Sequence, residues 1–201
     1  VGERVKKNPD LLEDINTVLE TEDLTLAARH RVKHLLEVLA VDITADPIRE
    51  KVSHSLEGLT IAPYYGCQCL RPYPVFDDPE NPTTMEPLLE AVGASVHGWD
   101  MGCRCCGASQ MATKGDVAVR YVVDILKAAK GANAIVTVCP MCQMNLEAYQ
   151  DKASNEAGED LTISILYLPQ LLGAALGLPL DSLGLNYNLS VSQSLRKRME
   201  S

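Results

Sequence analysis

Three short groups of cysteine carry most of the chemistry open to this sequence. They read Cys67-Gln68-Cys69, Cys103-Arg104-Cys105-Cys106 and Cys139-Pro140-Met141-Cys142, and they hold all seven cysteines of the 201-residue chain. The thiolate, not the thiol, attacks disulfides and binds metal. Soft thiolates without histidine or carboxylate partners select zinc or iron–sulfur centres over calcium or magnesium. The C-x-x-C of Cys139 and Cys142 serves zinc, iron–sulfur and dithiol chemistry alike, so alone it separates none of them. Adjacent Cys105 and Cys106 are more telling. Two neighbouring side chains turn poorly onto one ion, but they can reach two irons of one cluster.

The elements that must position these thiols alternate between strand and helix from Leu59 onward. The spacing predicts strands over 59–65, 94–99, 134–138 and 162–167. The run Ala134-Ile135-Val136-Thr137-Val138 is the clearest of them, being small or β-branched throughout. Helices are expected between them. Thr83 with Glu86 suggests a capping box, Thr113 with Asp116 opens a second helix, a third follows Cys139 through Tyr149, and the last runs from Pro169 to Leu176. Strands joined by helices imply right-handed crossovers and a parallel sheet. Ligands of such sheets gather at the carboxyl ends of the strands. Cys67 follows the first strand, Cys103 to Cys106 the second, and Cys139 the third, so three loops deliver their thiols to one edge. Near the start of a helix, Cys139 and Cys142 gain from backbone N–H groups that favour the thiolate.

Residues 1–57 contain no cysteine and read as a helical extension, with 58–201 as the α/β domain. Asn8-Pro9 is a good helix start, followed by the stripe Leu11, Leu12, Ile15, Val18 and Leu19. A second helix is expected from about Thr25, with Ala28, Val32, Leu35, Leu36 and Leu39 on one face, ending before Asp46-Pro47. The net charge of −9 argues against nonspecific nucleic-acid binding, which needs a basic surface. No apolar run nears the ~18 residues that cross a bilayer and no signal peptide opens the chain, so a cytoplasmic protein with reduced thiols is expected. A chain that starts at Val1 is expected to be a processed product or part of a longer one.

Taken together, Gly66-Cys67-Gln68-Cys69-Leu70-Arg71-Pro72, Cys105-Cys106-Gly107 and Cys139-Pro140-Met141-Cys142-Gln143-Met144-Asn145-Leu146 resemble the CCG (cysteine-rich) domain in the B-type subunit of heterodisulfide reductase. The stretch Val32 to Leu39 is similar to the segment preceding the second such repeat of that subunit, so the resemblance covers the chain as the subunit's C-terminal half. It implies that Cys67, Cys105, Cys106, Cys139 and Cys142 hold a noncubane [4Fe-4S] cluster. Cys69 and Cys103 have no counterpart in the family pattern and are expected near the cluster edge, as possible extra ligands or as a disulfide if the cluster is lost. The implied activity is reduction of a disulfide substrate. Electrons would come from other subunits of a heterodisulfide reductase-like complex, one carrying iron–sulfur clusters and one carrying flavin, and two facing repeats would share the work. One repeat alone is then expected to bind a cluster without turning over. The alternatives are a CCG domain of another oxidoreductase (lactate, glycerol 3-phosphate or succinate type), or a structural zinc domain, since four close thiolates suit tetrahedral zinc.

Other residues carry blander expectations. His30 and His34 share a helical face, but Arg29, Arg31 and Lys33 surround them, which suits a solvated surface. Arg71 is expected to anchor its loop or to meet an anionic substrate, while His97 and Trp99 end a strand. Tyr64 and Tyr65 are expected as strand packing, and Arg196-Lys197-Arg198 as a frayed tail or at most a docking surface. Gly66, Gly102 and Gly107 are expected to let the backbone approach the metal centre closely.

Overall fold

The computed structural model describes residues 2–27 and 32–200. The chain divides into two compact units, Val1–His34 and Leu35–Ser201. In the first, helices α1 (Gly2–Lys6) and α2 (Pro9–Leu19) follow one another. Asn8 caps α2 by accepting the Leu11 N–H at 3.1 Å, with Pro9 at the first helical position. Asn16 then ties down the segment after α2: its amide donates to the Leu26 carbonyl at 3.2 Å and its oxygen accepts the Leu26 N–H at 2.7 Å.

The second unit is α/β. Its sheet contains β1 (Thr60–Tyr64), β2 (Ser95–Val96), β3 (Ala134–Thr137) and β4 (Ser164–Tyr167), all parallel, in the order β2-β1-β3-β4. Registers pair Ile61 with Val96, Ala62 with Ile135, and Val136 with Leu166. From β1 the chain goes to one side for β2, then crosses back for β3. The switch point of this order therefore lies between the carboxyl ends of β1 and β3, where such sheets leave a crevice.

β1 is a central strand that contains a proline, which normally argues against that position. The geometry resolves the conflict. The Leu59 and Ile61 carbonyls accept from Ser95 and His97, so odd residues of β1 face β2, and the missing N–H of Pro63 faces the side where β2 has already ended. The loop after β2 supplies what the ladder lacks. The Trp99 indole N–H donates to the Pro63 carbonyl at 3.0 Å, and the Gly102 carbonyl accepts from the Tyr65 and Gly66 N–H groups at 2.8 and 3.1 Å.

Alternation along the strands splits the core into two faces. Ile61, Tyr65, Ala134 and Val136 pack on one, with Leu88, Leu89, Leu168 and Leu171. Ala62, Tyr64 and Ile135 pack on the other, against Val119, Val122 and Leu126 of α6 (Gly115–Ala128).

Several helix boundaries differ from the sequence expectation. Residues 24–27 and 32–34 are not helical, while Ala28 and His30 lie outside the described residues. The helix begins at Leu35 as α3 (Leu35–Glu37), runs on as a π-helical turn over Val38–Ile43, and breaks at Thr44, which has φ +68°. Asp46 and Pro47 then fall inside α4 (Ala45–Arg49), because proline in a first turn forfeits no helical hydrogen bond. Neither expected capping pair forms. Asp77 takes the N–H groups of Thr83 and Thr84, so Glu86 opens α5 (Glu86–Ala91) while accepting from the Tyr65 hydroxyl. Thr113 donates to the Gln110 carbonyl, and α6 starts without a side-chain cap at Lys114. After α7 (Pro140–Ala148) the chain kinks at Tyr149 and continues as α8 (Gln150–Ala157), which the sequence did not announce. Beyond α9 (Leu168–Ala175), the basic stretch Arg196-Lys197-Arg198 belongs to α10 (Gln193–Glu200) and not to a frayed tail. Leu195 and Met199, one turn apart, are buried in the core and hold α10 down.

Candidate metal centre

All seven cysteines carry free thiols, and the loops that hold them meet at the switch point. Cys67 and Cys69 lie in the turn after β1, which the Arg71 N–H closes by donating to the Cys67 carbonyl at 3.1 Å. Cys103, Cys105 and Cys106 lie in the loop that prolongs the ladder beyond β2. Cys139 caps α7, and Cys142 sits in its first turn.

Cys106 and Cys142 share a hydrogen bond, 3.5 Å between sulfurs. Cys142 also lies close enough to Cys139, and Cys105 to Cys67, to shift the acidity of the latter thiol in each case. The loop after β2 is therefore joined sulfur to sulfur to the helix after β3, with Cys67 of the loop after β1 close enough to Cys105 to have its acidity shifted. The thiols gather without forming a closed cage: among the described residues no group of three or more His, Cys, Asp or Glu side chains is placed to hold a single ion.

The acidities follow from these contacts. Cys139 is pushed down to about 6, by the hydrogen bond from Cys142 and then by the Cys142 and Met141 N–H groups of the first turn of α7. Cys106 falls to about 7, through its bond with Cys142 and the Ala108 N–H. Cys142 is driven up by hydrogen bonding to both neighbours and by burial. Cys67 is raised by burial and then by Cys105.

The two remaining cysteines pack on the other core face. Cys103 packs into the core face of Tyr65 and Leu70, opposite to the face of Cys106 and Cys142, and its S–H points to the Glu80 carbonyl at 3.4 Å. Cys69 packs against that same face, and burial, Asp77 and Cys139 push its thiol up to about 12. Arg71 anchors this corner: its guanidinium donates to the Pro79 carbonyl at 2.7 Å and the Cys103 carbonyl at 3.3 Å, and pairs with Glu80. His97 bonds the Ala128 carbonyl and Trp99 the Pro63 carbonyl, so both are engaged in holding the fold.

Two glycines let the backbone pass close to the thiols and to α6. Gly66 has φ +68°, and a β-carbon there would lie 2.9 Å from Cys142 Sγ. Gly107 has φ +80°, and its β-carbon would meet Ala118 Cα at 3.0 Å. A side chain at either position would intrude on the thiols or lift their loop off α6. An all-thiol donor set fits an iron–sulfur group.

Sequence reasoning missed two residues here. Tyr64 is fully buried against the gathered cysteines and donates its O–H to the Arg104 carbonyl at 2.7 Å, while burial, then Cys142 and Cys106, raise its pKa. Asn145 is buried and donates to the Cys106 carbonyl at 2.8 Å. Its place three residues after Cys142, on the same face of α7, was the available signal.

The fold and the thiol arrangement define a class, a parallel α/β unit with a cysteine site at its switch point. Residues 61–147 match the family described as CCG, cysteine-rich domain. The chain is 35% identical over 181 residues to the 8-methylmenaquinol:fumarate reductase membrane anchor subunit of Wolinella succinogenes, covering 88% of this chain and 63% of that protein. It is 28% identical to the B-type subunit of the ferredoxin:CoB-CoM heterodisulfide reductase of Methanosarcina mazei, covering 92% and 63% respectively. A protein of Archaeoglobus profundus, described as like the B-type subunit of heterodisulfide reductase, is 27% identical, with 85% and 60% covered. The chain thus spans about three fifths of these curated relatives. A crystal structure of a hypothetical protein from Helicobacter pylori matches 96% of this chain and 35% of its own at a TM-score of 0.73 and 13% identity, which is a likeness of fold. Among the described residues no helix is long and apolar enough to cross a membrane.

Proposed function

We propose that this chain is the cluster-holding part of a cytoplasmic oxidoreductase subunit, with 58–201 as its CCG domain and 1–57 as a helical extension. In this reading Cys67, Cys105, Cys106, Cys139 and Cys142 hold one noncubane [4Fe-4S] cluster, and Cys69 and Cys103 do not. The observation that carries it is the 3.5 Å contact of Cys106 with Cys142 across two loops at the switch point, with Cys139 and the Cys67–Cys105 pair interacting electrostatically around it. Thiols spread over three loops suit a core wider than one ion.

The cluster, when bound, supplies one-electron transfer and an iron able to take a sulfur ligand. The protein's part is to position and shield. Gly66 lets the turn after β1 pass Cys142 Sγ, and Gly107 lets the Cys105–Cys106 loop seat on α6. First-turn N–H groups of α7 favour the charged sulfur of Cys139. Tyr64 and the core behind it exclude water from the inner side.

The substrate we assign is a disulfide, reduced within a complex whose other subunits supply electrons, as the likeness to heterodisulfide reductase subunits supports. The 35% identity to a fumarate reductase subunit favours a second reading, in which the same site passes electrons within a quinol- or dicarboxylate-linked complex. The test is anaerobic purification of the tagged chain with its native partners, followed by oxidation of reduced viologen. Turnover with a disulfide supports the first reading. Turnover with fumarate and none with disulfides overturns it in favour of the second.

A further inference from the structure

The main chain on either side of Cys105 is held by two buried side chains from two different elements. Tyr64, at the end of β1, donates its hydroxyl to the carbonyl of Arg104 at 2.7 Å. Asn145, in α7, donates its amide to the carbonyl of Cys106 at 2.8 Å. Both side chains are essentially inaccessible, at 0% and 2% exposure. The Gly107 N–H then points back to Cys105 Sγ at 3.4 Å, and Gly107 itself seats against Ala118 of α6.

From this arrangement we infer that Tyr64 and Asn145 are positioning residues for the Cys105–Cys106 pair, a clamp that holds both thiols in their loading geometry before any metal arrives. The inference rests on the cluster reading above and adds residues to that site. Its physical basis is the demand that adjacent cysteines make on the backbone. Neighbouring side chains point apart in any regular conformation, so directing both to one centre needs an irregular segment. Fixing such a segment costs conformational entropy. If the fold fixes it beforehand, ligand binding no longer bears that cost.

The choice of side chains agrees. Tyr64 sits amid Cys142, Cys106, Cys105 and Cys67, yet its hydroxyl bonds a backbone carbonyl and not a sulfur. It restrains the loop while leaving the thiols free to bind metal. Space-filling alone would be met by phenylalanine at 64 and leucine at 145. Those two substitutions delete the donors with little change of shape, so they isolate the clamp from the packing.

The experiment uses the full chain, made anaerobically as wild type, Tyr64→Phe and Asn145→Leu. Iodoacetamide labelling of each cysteine in the metal-free protein is followed by peptide mass spectrometry, with Cys69 as the internal control. Losing one such hydrogen bond raises the open fraction of the loop by about five- to thirtyfold, and Cys105 labelling should quicken accordingly while Cys69 is unchanged. After iron and sulfide reconstitution the variants should also show an altered paramagnetic line shape, which a purely structural role would not produce. Unchanged Cys105 labelling in folded variants overturns the clamp. A wild type that takes up no iron overturns the cluster reading instead, and the labelling still judges the clamp. Should either variant fail to fold, the other decides, because the two bonds come from separate elements. Should both fail, exchange of the donor protons in the wild type decides: slowly exchanging Tyr64 O–H and Asn145 side-chain N–H signals support the clamp, and rapid exchange overturns it.

Discussion

Gly66 lies so close to Cys142 that a β-carbon on the first would stand 2.9 Å from the sulfur of the second. The contact links the turn after β1 to the first turn of α7, two loops far apart along the chain. Gly66 passes that sulfur with a positive φ, a conformation glycine takes without strain.

Gly66→Ala is therefore expected to fail twice, by strain and by clash. The left-handed conformation costs a residue with a β-carbon about 1 to 2 kcal/mol before any steric term. Urea unfolding should show a loss of at least that size, and iron uptake on reconstitution should fall further than stability. Ala in place of Gly98, which has open space around it, is the control and should change neither.

Cys106→Ser and Cys69→Ser should part company. Cys106 is bonded to Cys142 inside the thiol group, whereas Cys69 packs on the opposite core face, beside Asp77. Iron per chain after anaerobic reconstitution should collapse for the first and hold for the second. Equal loss in both would contradict the division of seven cysteines into five and two.

Arg71 is expected to act on its loop and not on catalysis. Its guanidinium reaches the Pro79 and Cys103 carbonyls as well as Glu80, but the ion pair is solvated, with side-chain exposures of 39% and 76%. Such a pair contributes about 1 kcal/mol or less, so the carbonyl bonds carry most of the anchoring. Arg71→Ala should lower stability by about 1 to 2 kcal/mol and open residues 71–80 to limited proteolysis. Arg71→Lys should restore little, because an ammonium lacks the planar fork that spans several acceptors.

Much of this architecture is legible in the residues themselves. The buried runs 60–64, 134–137 and 164–167 declare strands, and the cysteines that follow β1 and β3 declare the edge where the thiols gather. The parts that escaped share one cause, competition settled by contacts distant in sequence. Thr83 and Glu86 have the spacing of a capping box, but Asp77 and Tyr65 satisfy the same groups from outside the helix. The polar surface of α10 hides its two core residues, since Leu195 and Met199 are apolar points in an otherwise charged stretch. The π-helical turn at 38–43 has no local signature at all. In the site, Asn145 belongs to the quoted motif, yet its partner, the Cys106 carbonyl, is visible only once the loops are folded together.

The ordered C-terminus gives its own test. Leu195 is 3% exposed and Met199 1%, both within the core. Leu195→Ala or Met199→Ala should cost about 2 to 5 kcal/mol in urea unfolding, as for other buried large-to-small changes. A frayed tail would give no measurable loss.

Whether five thiols from three loops hold one iron–sulfur cluster is decided by iron, sulfide and zinc analysis of anaerobically reconstituted wild-type protein, paired with paramagnetic resonance under oxidising conditions. The expected result is a coloured protein with iron and sulfide in the proportion of one [4Fe-4S] cluster per chain and a paramagnetic signal on oxidation, lost in Cys106→Ser. A colourless protein that retains zinc and takes up no iron would refute the cluster assignment.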